Sequence, residues 1–517
     1  MIDGEWDAIV VGAGPAGSAV AARLSDDPRC RVLLIEAGPD YRPADAPEEM
    51  RRGHWTRIID RGRFPQFQWL SLNARRRPGR APEPLWRGRG VGGSAAINGQ
   101  VALRPPLSEF DEWAAAGAPV WGAAMALEGF RAIERDLAFG AMPYHGASGP
   151  IPISRAPIEA WSALDRAVFA AFRELGLPEA EDCNAPGTTG LSAFPYNALD
   201  EVRIAANEGY LEPIRARPNL RILGDALVDR VLFEGARVIG VAVTGEDGRS
   251  MIRGGLVILS AGAIHSPAIL MRSGIGPAEH LRSLGIAARR DLPVGSRYQE
   301  HPHIYFGFAI EPAQGIARNA RHTNLCVRWS SGHPGTGFND MAAVVNGPAP
   351  DTPRTAGIGF TINQAFSRGT VRLASADPHV DPAVEMNLAD DPRDRARLRD
   401  AVEMARRLLD RPALRGMAQG PIVDRSGGPV DLALETIDAW IDATVDGSAH
   451  SASSCPLDAP ERGVLDAEAR PFAVERLHVV DLSITPSSPR ANPNLTAFMI
   501  GEHFGRRLAT LYQRSTP

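Results

Sequence analysis

The chain opens on a short apolar run and then changes its period. Ala8–Val11 is β-branched and apolar, Pro15–Leu24 carries small and apolar residues at helical spacing, and Val32–Ile35 is again continuously apolar. Runs of this length, bounded by glycine and charge, predict a buried strand, a helix and a second buried strand. Between the first two lies G-x-G-x-x-G, at Gly12, Gly14 and Gly17. In that setting the first glycine permits a tight turn, the second leaves room for a pyrophosphate, and the third lets the helix lie close to the strands. A phosphate would meet the helix N-terminus, where free N–H groups and the positive end of the dipole face it. The second strand ends at Glu36, roughly 20 residues past the glycines, where a carboxylate accepts hydrogen bonds from a ribose. Asp7–Glu36 therefore predicts a site for an adenine dinucleotide with a free 2′-hydroxyl, and leaves FAD and NAD both open.

Further along, the pattern changes character. The Pro- and Arg-rich segment Pro39–Pro84 has little periodicity and reads as a loop-rich excursion. Ile151–Ile153 followed by Ile158–Leu175 predicts a strand and an amphipathic helix. From His301 to about Ser375 come short β-like runs: Ile304–Ile310, Thr323–Trp329, Met341–Val345, Gly357–Ile362 and Thr370–Leu373. With no helices between them, they predict a mostly antiparallel sheet. Arg395–Leu409 reads as a helix with Leu398, Val402, Ala405 and Leu409 on one face. No repeat or low-complexity linker divides the chain, so the expected domains are interleaved.

Composition narrows the function classes. At 517 residues and 44% hydrophobic content the chain can bury a large core in two or three domains. A formal charge of −5 provides no basic excess to neutralise phosphates, so no nucleic-acid partner is expected. All the cationic side-chain charge is arginine; the sequence contains no lysine. Cys30, Cys183, Cys326 and Cys455 are scattered, without metal-ligand spacing, and a reducing cytoplasm is expected. The first strand begins so soon after Met1 that no signal peptide is expected. No apolar run reaches the roughly 18 residues of a membrane span.

A second glycine cluster, Trp86–Gly99, reads W-R-G-R-G-V-G-G-S-A-A-I-N-G. It resembles the first signature of the glucose–methanol–choline oxidoreductases, a family of FAD-dependent alcohol oxidases and dehydrogenases. Leu256–Pro277 resembles the second signature, a strand running into Gly262 and a helix. Arg203–Leu211 with Arg217–Leu220 resembles the approach to the strand that carries an adenine contact. Pro293–Pro302 resembles the segment that crosses between domains, with Glu300 where the family more often has Asp. The fold class this implies is α/β, α+β overall: a Rossmann-like FAD-binding domain interleaved with a substrate domain built on a mostly antiparallel sheet backed by helices. The implied boundaries are 1–149, 201–300 and 441–517 for the FAD domain, with a flavin-covering loop within 39–100, and 150–200 and 301–440 for the substrate domain.

The resemblance also implies which residues touch FAD. They are Gly12, Ala13, Gly14, Pro15, Ala16 and Gly17 in the first turn, then Glu36 and Ala37. The second cluster contributes Gly92, Gly93, Ser94, Asn98, Gly99 and Val101. Val228 falls beside the adenine, and Ala261 and Gly262 belong to the second signature. Asp481 and Leu482 are implied near the ribityl–pyrophosphate portion, and Pro493 and Asn494 at a helix start facing the flavin pyrimidine. Some members attach FAD covalently through a histidine at the position of Ile97, so a non-covalent FAD is expected here.

The C-terminal part carries the candidates for chemistry. Oxidising an alcohol removes the hydroxyl proton and a hydride from the same carbon, so a base must touch the oxygen. An imidazole of ordinary pKa near 6.5 suits that task, and an amide can hold the oxygen without competing for the proton. By resemblance these positions fall on His450 and Asn492. After His450 the family usually shows a Gly-Thr-Cys-like run, where this chain has Ser453-Ser454-Cys455-Pro456. His301, His303, His478 and His503 are read as structural. The implied partners are a small-molecule alcohol and oxygen or another electron acceptor. A non-redox alternative stays open, because hydroxynitrile lyases share the family fold and keep FAD as structure. Tyr41–Arg76 and the antiparallel sheet are expected to shape the substrate pocket, where no carboxylate-rich cage specifies choline.

Overall fold

Apolar runs buried on both faces belong in a parallel sheet covered on each side, and the first runs of this chain take that place. The computed structural model describes residues 5–52, 63–245, 248–311, 321, 323–348, 352–430 and 436–515. Across the first sheet the order is Leu220–Leu223, Val32–Ile35, Trp6–Val11, Gly248–Leu259, Arg237–Gly245 and Leu227–Glu234. The first four run parallel, with Ala8 beside both Val32 and Leu256. The N-terminal half of Gly248–Leu259 pairs antiparallel with Arg237–Gly245, and its C-terminal half pairs parallel with Leu477–Val479. Residues far apart in the chain thus share one sheet.

The helix Pro15–Leu24 leaves the turn directly after Trp6–Val11. Gly17 is what lets it sit there, since a Cβ at this position would lie 1.9 Å from the Gly12 carbonyl oxygen. The C-terminal helix Asn494–Ser515 packs against it. A Cβ at Gly501 would lie 2.4 Å from the Ala16 carbonyl oxygen, so these two helices approach backbone to backbone.

The second sheet is antiparallel throughout. Its order is Gln419–Val423, Pro302–Ala309, Thr355–Ile362, Met341–Asn346, Leu325–Trp329 and Gly190–Ala193, with Asp446–Gly447 added on Pro302–Ala309. Strand side chains alternate between faces. Ile304, Phe306, Phe308, Val345, Ile358 and Phe360 enter a core shared with the helices Ala163–Glu174 and Pro392–Leu409. The opposite face is left to the cavity described below.

Three local expectations need correction. Thr370–Arg372 does not join the large sheet. It pairs with Ala383–Glu385 in a separate four-stranded sheet that includes Asn73–Arg75 and Glu83–Pro84. The Pro39–Pro84 excursion is therefore partly strand, in runs of two and three residues that are too short to show a period. The helix expected from Ile158 starts later. Ile158–Ala160 is a single 3-10 turn, and Ala163–Glu174 begins behind Ser162, which forms a capping box with Asp165. Of the Tyr41–Arg76 loop, residues 53–62 lie outside the described residues. No helix among the described residues is long and apolar enough to cross a membrane, and all four cysteines are free and buried.

Glu134, Asp136 and Asp182 form a buried cluster with Arg104, Arg155 and His145. Arg155 lies 2.9 Å from both aspartates, Arg104 pairs with Glu134, and His145 bonds Glu134 at 2.7 Å and Asp182 at 2.8 Å. Three carboxylates are thus matched by three cations, so the Glu134, Asp136 and His145 ligand atoms have no charge left for a metal. Burial disfavours the imidazolium, but the hydrogen bonds to Asp182 and Glu134 outweigh it and lift the His145 pKa to about 9. Since the folded pKa exceeds the unfolded value of about 6.5, this contribution is complete below that pH and disappears as pH rises through 9, with an upper limit of about 3 kcal/mol. His145→Gln should melt below the parent at pH 6, with the gap narrowing toward pH 10. A gap that stays constant with pH would contradict a charged His145.

Candidate active site

A cavity of about 820 Å³ is lined by residues of both large sheets and of the loops between them. At one end are the two glycine clusters. Gly12 has φ +101°, and a Cβ there would lie 2.4 Å from the Ser260 carbonyl oxygen, so only glycine makes this turn. Gly93, at φ +54°, approaches Gly14 so closely that a Cβ would sit 2.9 Å from the Gly14 Cα. Gly14 itself is the helix N-cap without a side-chain cap, and a Cβ built on it would meet no protein atom within 4 Å. Its edge of the cavity is open space beside unpaired helix N–H groups, the arrangement an anionic phosphate requires.

Most of the expected cofactor residues line this one cavity. Gly12, Gly14, Pro15 and Ala16 do so from the first turn, with Glu36 and Ala37 from the second strand. Gly93, Ser94, Asn98, Gly99 and Val101 line it from the second cluster, Val228 from its strand, and Ala261 and Gly262 from the second signature. Asp481, Leu482, Pro493 and Asn494 complete the set from the C-terminal segment. Ala13, Gly17 and Gly92 do not reach it. Gly17 packs on Gly12, the Ala13 amide donates to Glu36 (2.9 Å), and the Gly92 amide donates to the Ala13 carbonyl (2.9 Å). These three hold the turn from behind.

Two carboxylates tie the segments together. Glu36 accepts from the amides of Ala13, Gly38 and Gly90, which uses three of its roughly four acceptor positions. It thus joins the first turn to the second glycine cluster, with one position left for a ribose. Asp481 caps its own 3-10 turn through the Ser483 amide (2.8 Å) and also accepts from the Gly262 amide (2.9 Å) and Ser266 Oγ (2.6 Å). It fastens the second signature to the C-terminal segment.

At the other end of the cavity, His450 and Asn492 meet. The Asn492 amide nitrogen lies 3.2 Å from His450 Nε2. His450 Nδ1 lies 2.9 Å from His301 Nδ1, and His301 Nε2 is 2.8 Å from Ser488 Oγ. With the Asn492 nitrogen facing Nε2, the donors and acceptors agree in one way. Asn492 donates to Nε2, so the His450 proton sits on Nδ1 and goes to His301, whose own proton goes from Nε2 to Ser488. His301, read from the sequence as structural, thus contacts His450 directly, and His450 Nε2 is turned to Asn492 at the cavity wall. Burial drives the His450 pKa well below its ordinary 6.5, with His301, Arg87 and His303 adding to the effect. Burial likewise lowers His301 to about 3.

Glu300 anchors the same site, with its carboxylate accepting from the amides of His450 (2.6 Å) and His301 (3.0 Å). Its position in Pro293–Pro302 was visible in the sequence, but its contact with residue 450 was not. Ser453, at φ +65°, donates its amide to the Leu482 carbonyl and Cys455 donates to Ser483, so the unusual run after His450 lies along the Asp481 turn. His303 lines the cavity and bonds Thr361, whereas His478 bonds the Glu468 carbonyl and is buried away from it.

Comparison with known proteins adds the family. The GMC oxidoreductase family models match residues 6–303 and 365–501. The chain belongs to the GMC oxidoreductase family. It is 34% identical over 538 residues to a 5-(hydroxymethyl)furfural oxidase of Methylovorus sp., covering 99% of this chain and 100% of that protein. It is 31% identical over 552 residues to an oxygen-dependent choline dehydrogenase of Serratia proteamaculans, covering 98% and 96%. The crystal structure of pyridoxine 4-oxidase from Mesorbium loti matches with TM-score 0.87 at 30% identity, over 97% of this chain and 99% of that one.

The cofactor of this GMC oxidoreductase is FAD, and the residues present fit it. The uncapped helix start at Gly14 suits the pyrophosphate and Glu36 a ribose, and Gly262, at φ +82°, leaves open space in the same wall. Ile97 lines the same cavity and offers no nucleophile for a covalent link. Gly14→Leu fills space that no protein atom occupies, so it should fold and melt as the apoprotein does, yet purify with less than about a tenth of the parent's FAD. Full flavin content in that variant would place the pyrophosphate elsewhere. Acid precipitation of the parent should leave the yellow colour in the supernatant, and a coloured pellet would reveal a covalent bond.

Proposed function

We propose that this GMC oxidoreductase oxidises a small-molecule alcohol to an aldehyde or ketone, with His450 as the base for the hydroxyl proton. The observation that supports this most is the tautomer of His450, whose unprotonated Nε2 faces the cavity beside Asn492. The hydroxyl would replace the Asn492 amide at that nitrogen, and the amide would donate to the alcohol oxygen instead, holding it as its proton leaves. His301 accepts from Nδ1, so the imidazolium that forms keeps a partner for its second proton. Bound FAD supplies the two-electron acceptor for the hydrogen on the carbinol carbon. The relatives named above are an oxidase and an oxygen-dependent dehydrogenase, which supports oxygen as the final acceptor.

His450→Ala should retain FAD while anaerobic flavin reduction by alcohol slows about 10²–10⁴-fold. Parent-like reduction in that variant would remove His450 from the role of base. The pH profile gives a separate check. A base works unprotonated, so activity is present above its pKa and lost as pH falls through it. Because the His450 pKa is held well below 6.5, kcat/KM should stay flat through pH 6 to 8 and fall only at lower pH. A falling limb near pH 6.5 or above contradicts a buried, neutral His450. His301→Leu removes the acceptor for Nδ1–H and should move that limb as well as slow reduction. A purely structural His301 would leave the limb in place.

A further inference from the structure

The cavity face of the second sheet has an unbalanced charge. His303, Thr361, Ala342 and Arg328 stand opposite one another on four adjacent strands and all line the cavity. In the neighbouring row are Tyr305, Gly359, Val344 and Cys326. The glycines give the floor its shape. A Cβ at Gly359 would lie 2.2 Å from the His303 ring, and one at Gly357 would lie 2.2 Å from Tyr305 Oη. The two rings therefore lie flat across the sheet and leave a shallow, planar surface.

Arg328 is only 3% exposed, and its N–H groups reach the carbonyls of Arg104 (3.1 Å) and Cys183. Among the described residues no carboxylate pairs with it. The carboxylates around it are already engaged by other groups. Arg104, Arg155 and His145 balance Glu134, Asp136 and Asp182, and Arg87 faces Glu300. Arg425 and Arg76 share Asp446, and Asp424 is committed to the Ser426 amide and hydroxyl and to the Gly428 amide. Its other acidic neighbours are the Cys183 and Cys326 thiols. Asn363 follows Thr361 on the same face, at the level of His301. It is 4% exposed, lines the cavity, and its amide nitrogen has no hydrogen-bond partner. A buried guanidinium without an anion and a buried donor without an acceptor are both costly, and both are relieved if a ligand brings the missing oxygens.

We infer that Arg328 binds a carboxylate on the substrate, with Asn363 donating to a substrate oxygen nearer the reacting carbon. The alcohol oxidised is then a hydroxymethyl compound with a remote carboxylate, and a cationic alcohol such as choline is disfavoured. His303 lies two residues past His301, which contacts His450, and stands three strand spacings from Arg328, about 14 Å between backbones, so the hydroxyl and the carboxylate occupy opposite ends of a short, flat molecule. This inference rests on the alcohol-oxidation reading above.

The test uses the FAD-loaded enzyme under anaerobic conditions with 4-(hydroxymethyl)benzoate, benzyl alcohol and 4-(aminomethyl)benzyl alcohol. The specificity constant for flavin bleaching should be at least about tenfold higher for the carboxylate than for the neutral alcohol, with the cation lowest. Arg328→Met should bring the carboxylate-to-neutral ratio to near parity by raising KM rather than lowering kcat, and Arg328→Lys should keep part of the preference. If Arg328→Met does not fold, Asn363→Asp places a negative charge on the same face and should reduce the same ratio. Bleaching by benzyl alcohol with no preference for the carboxylate, or a ratio unmoved by every folded variant, overturns this inference alone. Bleaching by none of the three overturns the alcohol reading and this inference with it.

Discussion

The near-contact of the first and last helices is the constraint on which the site depends. Pro15–Leu24 and Asn494–Ser515 meet at Gly501 with no room for a Cβ, so the start of the C-terminal helix is held beside the glycine turn. Asn492, Pro493 and Asn494 immediately precede or begin that helix, and so they line the same cavity as Gly12 and Gly14. Asp481 adds a second fastening by accepting hydrogen bonds from Gly262, Ser266 and Ser483. Two ends separated by some 480 residues of intervening chain are brought together by close packing and by one buried carboxylate, each intolerant of small changes.

The candidate catalytic end shows how buried polar groups define chemistry. Every hydrogen bond around His450 is made within the chain: Glu300 takes its amide, His301 its Nδ1 proton, and Asn492 meets its Nε2. Away from bulk water an unmatched donor is expensive, so this set of partners favours one tautomer. The same logic draws attention to Arg328, which no carboxylate pairs with among the described residues, and to Asn363, a wall residue whose buried amide nitrogen has no partner.

Much of this arrangement could be read from the amino-acid order. The glycine spacing at Gly12–Gly17 and Gly92–Gly99 marked backbone that must approach a ligand, and apolar runs marked the strands. The strands from Ile304 to Ile362 were legible because their inward and outward residues alternate. The four-stranded sheet with Asn73–Arg75 was not, since its pieces are too short to carry a period. Ala13, Gly17 and Gly92 belong to the motifs yet face away from the cavity, because a motif also contains the residues that support its turn.

By itself the sequence determined the local geometry: where the backbone turns sharply, which helix start is left uncapped for a phosphate, and which runs must be buried. Those properties come from Cβ sterics, proline and side-chain polarity within a few residues. Only the tertiary structure decided that His301 orients His450, that Glu300 binds both their amides, and that Arg328 lacks a counter-charge. Such facts depend on contacts that reach His450 from 149 and 150 positions away, from His301 and Glu300, or on the absence of a contact. Neither leaves a periodic trace along the chain, because hydrogen-bond partners and charge balance are properties of the folded space and not of spacing.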